Sequence, residues 1–87
     1  MKISPQLKMY QIENNRICKI FAARFKELKN EYELTLPVIA DILGISRQSI
    51  VYYTMGNRIP SIPIVIGIAT MFNTSVDYLL GLTDKRG

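Results

Sequence analysis

Histidine and tryptophan are absent from this 87-residue chain, cysteine occurs once, and no apolar run approaches the length needed to span a bilayer. The missing histidines remove the commonest general base and metal ligand. No glycine-rich phosphate loop and no carboxylate cluster at ligand spacing takes their place, so an enzyme, a metal site and a bound cofactor are not expected. Asp41, Asp77 and Asp84 are scattered and read as helix-face, cap or tail residues. A lone Cys18 cannot close an internal disulfide; its apolar neighbours give it a packing role and a reducing interior suits it. The opening MKISPQLKMY lacks the continuous apolar stretch of a secretory signal. A soluble, cytoplasmic protein is expected.

What is present is one small domain with an apolar core. Hydrophobic residues make up 48% of the chain and charged residues 21%, a globular composition that excludes disorder throughout. A core of this size is marginal, and such chains often gain stability by oligomerising, so a homodimer is expected. The net charge of +4 favours an anionic partner. Residues 1–33 hold seven basic and four acidic groups against four and three in residues 34–87, so most basic side chains precede the motif described next. Most of those lysines read as a solvated helix face.

Ile17, Ile20, Phe21, Phe25 and Leu28 recur at helical spacing with Arg24, Lys26 and Lys29 between them, which predicts an amphipathic helix capped by Asn15. Upstream, Ser4-Pro5 is a helix-opening pair, and a short separate helix from Pro5 to Glu13 is predicted. Thr35 starts the next helix, with Pro37 in its first turn, and Gly44 ends it. Ser46 caps a following helix from Arg47 to Met55, closed by Gly56. Two helices are therefore joined by a very short turn, with Ile39, Ala40, Leu43, Ile45 and Ile50 to fix their crossing. Ala40 must stay small, because a larger side chain there would push the helices apart. After the loop Asn57-Arg58-Ile59-Pro60, Ser61 caps an apolar helix over 62–72 that Asn73 closes, and Ser75 opens a last short helix that stops at Gly81. The sum is an all-α bundle of about five helices with no convincing strand.

The stretch ELTLPVIADILGISRQSIVYYTMGNRIPS, followed by IATMFNTSVDYLLGLTD, resembles the helix-turn-helix domain of the Cro and C1 repressor (XRE) family. The likeness spans roughly Phe21 to Asp84. It rests on the joint spacing of Leu34-Thr35, Ala40, Gly44, Ile45-Ser46-Arg47, Gly56, Pro60-Ser61 and the run from Ser75 to Gly81. It implies a lambda repressor-like fold with a DNA-binding domain over residues 16–82, an N-terminal extension over 1–15 and a polar tail over 83–87. The implied partner is double-stranded DNA, as a palindromic operator bound by a homodimer, with no membrane and no small-molecule ligand expected. The implied function is sequence-specific transcriptional regulation, as a repressor. Helix 47–55 would enter the major groove, with Arg47, Gln48, Ser49 and Tyr52 as base-contacting candidates, since arginine pairs with guanine and glutamine with adenine. Thr35, Leu36, Gly56, Asn57 and Arg58 are the phosphate-contacting candidates. Tyr53 holds a position that the family buries.

Several positions depart from the family pattern. Leu36 stands where a glutamine is frequent and Met55 where asparagine is. Thr54 replaces a glutamate that pairs with a basic residue of the first helix, here Lys29. Glu33 occupies a usual glycine site, so either it takes a positive φ or the helix before it ends differently. With Val38 and Ile42 also apolar, helix 36–43 is unusually greasy. Either the N-terminal segment with Leu7, Tyr10 and Ile12 folds over it, or it is a protein interface. The latter underlies a rival reading, a degenerate helix-turn-helix used for protein interaction or assembly.

Overall fold

Between Gln6 and Leu34 the sequence has neither proline nor glycine, and a single helix, α1 (Pro5–Glu31), runs through nearly all of it in the computed structural model, which describes residues 5–87. The two helices expected on either side of Asn14 and Asn15 are thus one. Asn15 lies inside it and caps nothing, because a polar pair that costs a few tenths of a kcal/mol per residue does not break a helix, as ~3 kcal/mol of proline would. Ser4, expected to cap the start, lies outside the described residues. Four shorter helices follow, α2 (Leu36–Leu43), α3 (Arg47–Tyr53), α4 (Ile62–Met71) and α5 (Val76–Leu79), and the described residues contain no strand.

Hydroxyl caps start three of these helices. Thr35, in extended backbone, accepts from the Val38 amide at 3.4 Å; Ser46 accepts from Ser49 at 3.1 Å; Ser75 accepts from Tyr78 at 3.0 Å. Ser61 stands at the start of α4 with no side-chain cap bond, contrary to expectation, and Pro63 in the first turn has no amide to satisfy. The ends of α1, α2 and α4 share one device. After α2 the amides of Gly44 and Ile45 reach back to Asp41 and Ala40, with Gly44 left-handed at φ 70. The same pair of hydrogen bonds closes α1, where Glu33 sits at φ 55, and α4, where Asn73 sits at φ 52. Of the alternatives for Glu33, the positive φ is the one realised, at a cost of about 1–2 kcal/mol relative to glycine.

Phe21, Phe25 and Leu28 of α1 form the centre of the core with Ile39 and Ala40 of α2, Ile50 of α3, Val65, Ile68, Ala69 and Phe72 of the α4 region, and Tyr78 and Leu79 of α5. Ala40 is fully buried in this core, where the sequence required a small side chain. The Phe25 and Phe72 rings meet edge to face at 6.2 Å, and Tyr32 donates its hydroxyl proton to the Phe72 carbonyl at 2.9 Å. Cys18 is buried and Tyr53 half-buried against the core.

The C-terminal residues are not a free polar tail. Arg24 of α1 donates to the Tyr78 carbonyl, to the Thr83 carbonyl at 2.7 Å and to Asp84 at 3.0 Å, and its guanidinium stacks 4.2 Å from the Tyr78 ring centroid. Arg86 pairs with Glu31 at 2.8 Å and Glu27 at 3.3 Å, while its carbonyl accepts from the Ser75 amide and the Thr74 hydroxyl. Gly81 turns at φ 79, and a Cβ there would meet the Ile20 side chain at 2.8 Å. This strap holds α5 and the last residues onto α1. No described helix is long and apolar enough to cross a membrane.

Candidate nucleic-acid interface

Ser46 turns the chain so that α3 begins with its polar residues outward. Its hydroxyl, bonded both to the Ser49 amide and to the Ser49 hydroxyl at 2.8 Å, fixes the first turn. Ile50 points inward and is fully buried, which leaves Arg47, Gln48, Val51 and Tyr52 in water. The extension of α1 does not reach them: the Arg47 side chain is 70% exposed.

Two stripes at four-residue spacing run along this surface. In the first, Gln48 donates from Nε2 to the Tyr52 hydroxyl at 3.0 Å, and the Arg58 guanidinium lies 5.0 Å over the Tyr52 ring. In the second, Arg47, Val51 and Met55 follow one another, and the Arg47 guanidinium approaches Asp41 of α2 at 3.8 Å. An exposed pair at that distance contributes at most about 1 kcal/mol and holds the arginine loosely.

Of the base-contact candidates, Arg47, Gln48 and Tyr52 stand together on one exposed face. Ser49 is half-buried and its hydroxyl is engaged in the cap, so it stands apart from them. The phosphate-contact candidates flank that face. Asn57 and Arg58 are exposed in the loop after α3, and Gly56 turns it at φ 83. At the start of α2, Val38 is capped by Thr35, Ile39 bonds the Thr35 carbonyl and Pro37 has no amide, so Leu36 brings the unpaired backbone donor that every helix start exposes. The Leu36 side chain is half-buried against the core. Thr54 donates to the Val51 carbonyl, and Lys29 instead reaches Asn30, so the family's ion pair between these positions is missing.

Two residues belong to this surface that the sequence did not mark. Asp41 read as an ordinary helix-face residue, yet it lies beside Arg47 across the turn and adds a negative charge to the edge. Lys19 of α1 packs its stem beside Gly56, within 4 Å of where a Cβ would stand, and adds a second cationic side chain beside the loop that carries Arg58. Only contacts across the fold reveal either. The surface is also greasier than a purely ionic one: Val38, Ile42, Val51 and Met55 are each more than two-fifths exposed.

A helix-turn-helix family model matches residues 25–79, more than half of the chain. Among curated proteins of Bacillus subtilis, the chain is 31% identical over 65 residues to the uncharacterized HTH-type transcriptional regulator YobD, covering 75% of this chain and 58% of the relative. It is 34% identical over 61 residues to a second such regulator, YqaE, covering 70% and 53%. It is 36% identical over 63 residues to the HTH-type transcriptional regulator AnsR, covering 72% and 54%. The chain thus spans little more than half the length of these relatives. No solved structure gives a significant match.

Proposed function

We propose, from the premise that this chain belongs to the helix-turn-helix family, that it is a cytoplasmic transcriptional regulator, acting as a repressor, whose homodimer binds a palindromic operator in double-stranded DNA. The observation that carries this reading is the single open edge on which Arg47, Gln48 and Tyr52 of α3 stand between the α2 start and the Asn57-Arg58 loop, with no other part of the described chain over them. In the major groove, Arg47 donates two hydrogen bonds to a guanine and Gln48 pairs with an adenine. The bond from Gln48 to Tyr52 uses one amide proton and leaves the other, with the carbonyl oxygen, for the base. Arg58, Asn57 and the amides of Leu36 and Gly56 set the register on phosphates without reading sequence.

Selection of bound fragments from genomic DNA, followed by binding at several salt concentrations, tests this. The reading expects a palindromic site with half-sites about 34 Å apart. Gln48→Ala should weaken it by about 1–3 kcal/mol at one base pair, and Arg58→Ala should mainly lower the salt slope. The exposed Val38, Ile42, Val51 and Met55 favour a second reading, a protein-interaction module. Absence of any enriched site, with partner binding indifferent to Gln48→Ala, would select it.

A further inference from the structure

The first twelve residues of α1 stand off the body of the molecule. Pro5, Gln6 and every residue from Lys8 to Arg16 are exposed, and Met9, Tyr10 and Ile12 are each about two-thirds so. The molecule's longest dimension, 45 Å, is set by this helix, since 27 residues rise about 40 Å. A helical segment of ~12 residues is marginal in water by itself, and this one carries three large apolar side chains on more than one side.

Where α1 leaves the body an apolar groove of about 220 Å³ opens, lined by Ile17, Ile59, Pro60, Ile62, Ile66 and Leu80 among others. Ile62 is 76% and Ile66 50% exposed. No charged residue occurs between Ile59 and Val76, so the rim offers nothing to a nucleic acid or an acidic peptide; it has the charge-poor character of an interface centre. Tyr10 precedes Phe21 by eleven residues, about three helical turns, so it continues the core-facing stripe of α1 outward past Ile17.

We infer that the groove of each copy is covered by the α1 overhang of a second copy, so that the homodimer of the proposed function forms by reciprocal exchange of these helices. Ridge and groove belong to one chain and meet at Ile17, which lines the groove and ends the overhang's inner stripe. A two-fold axis beside Ile17 brings each ridge onto the other's groove, the self-complementarity that a closed dimer requires. Met9, Tyr10, Ile62 and Ile66 expose on the order of 500 Å² per copy, a large part of the roughly 800 Å² per partner of a stable interface. The groove shares no residue with the Arg47, Gln48 and Tyr52 face.

Sedimentation equilibrium of the full chain, without DNA, tests the inference, so its failure is separate from failure to find an operator. A dimer at tens of micromolar is expected, weakened roughly tenfold or more by Tyr10→Glu and by Ile62→Glu, with circular dichroism confirming that both variants fold. A chain carrying Tyr10→Cys, mixed with one carrying Ile66→Cys, should give chiefly the mixed disulfide on oxidation, while the parent with its buried Cys18 gives none. A monomeric parent, a dimer indifferent to Tyr10→Glu, or a predominance of the homodisulfide through position 10 overturns it.

Discussion

Two edges of this small domain are built from arginine, and they use it in opposite ways. Along the C-terminal strap, Arg24 has three acceptors and a ring to lie on, with only 18% of its side chain exposed, and Arg86 holds two carboxylates. Along the α2–α3 edge, Arg47 is 70% exposed with one loose carboxylate neighbour, and Arg58 lies on nothing but an exposed tyrosine ring. A guanidinium whose donors are already satisfied inside the fold is committed to structure; one that keeps its donors in water remains free for a ligand's acceptors. The same residue type at similar abundance thus separates a structural edge from the edge proposed for binding.

The largest effect expected from breaking this contrast is at Arg24. Arg24→Ala would leave the Tyr78 and Thr83 carbonyls without their charged donor and loosen α5 from α1, a loss of about 2–3 kcal/mol. Its contact with the fully exposed Asp84 adds little to that. Urea unfolding should show a lower midpoint, with operator affinity of the folded fraction unchanged. Arg47→Ala should do the reverse. Stability stays within about 0.5 kcal/mol, as for most exposed sites, while discrimination at one guanine falls by about 1–3 kcal/mol in competition binding against substituted sites. Equal losses of stability at the two positions would erase the distinction.

The geometry of the proposed binding edge was legible in the sequence because its signals are local. Thr35 and Ser46 as caps, Gly44 as a left-handed stop and buried Ala40 all act within a few residues, and they fix how α3 presents Arg47 and Gln48. The strap was not legible, because Arg24 meets its acceptors 54 to 60 residues away and the closing residues read only as a polar tail. Asn15 misled for a related reason: its capping preference is real, but nothing ends the helix before it, so the segment from Pro5 continues as α1. Ser61 shows the limit from the other side, a residue in the cap position whose hydroxyl caps nothing. At Glu33 the local preference for glycine yields to packing: Leu34 must reach the core, and the backbone takes φ 55 to bring it there.

A smaller change sharpens the comparison within the binding edge. Asp41 neutralises part of Arg47 and repels phosphate, so Asp41→Asn should tighten DNA binding by about 0.5–1 kcal/mol at low salt. The gain should shrink as salt rises, and stability should hardly move. Weaker binding after this change would mean that Asp41 positions Arg47 rather than competing for it.

The smallest expected effect lies on the strap and is read by pH. The Arg86 guanidinium donates to the Glu31 carboxylate and holds its pKa below the ordinary 4.5, against a weaker opposing push from burial. Because the folded value is the depressed one, the pair stabilises the fold above the unfolded pKa, and that contribution is lost as pH falls through the lower, folded value. Urea midpoints measured from about pH 7 down to about pH 3 should therefore show a decline on the acid side that is shallower in Glu31→Gln than in the parent. The difference should be slight, since the pair is exposed and the Arg86 carbonyl still accepts from Ser75 and Thr74 when the carboxylate is neutral. That persistence gives the measurement its meaning. If acid released the whole strap, the parent would lose stability as steeply as Arg24→Ala loses it at neutral pH, and the backbone bonds would not be what holds the C-terminal residues in place.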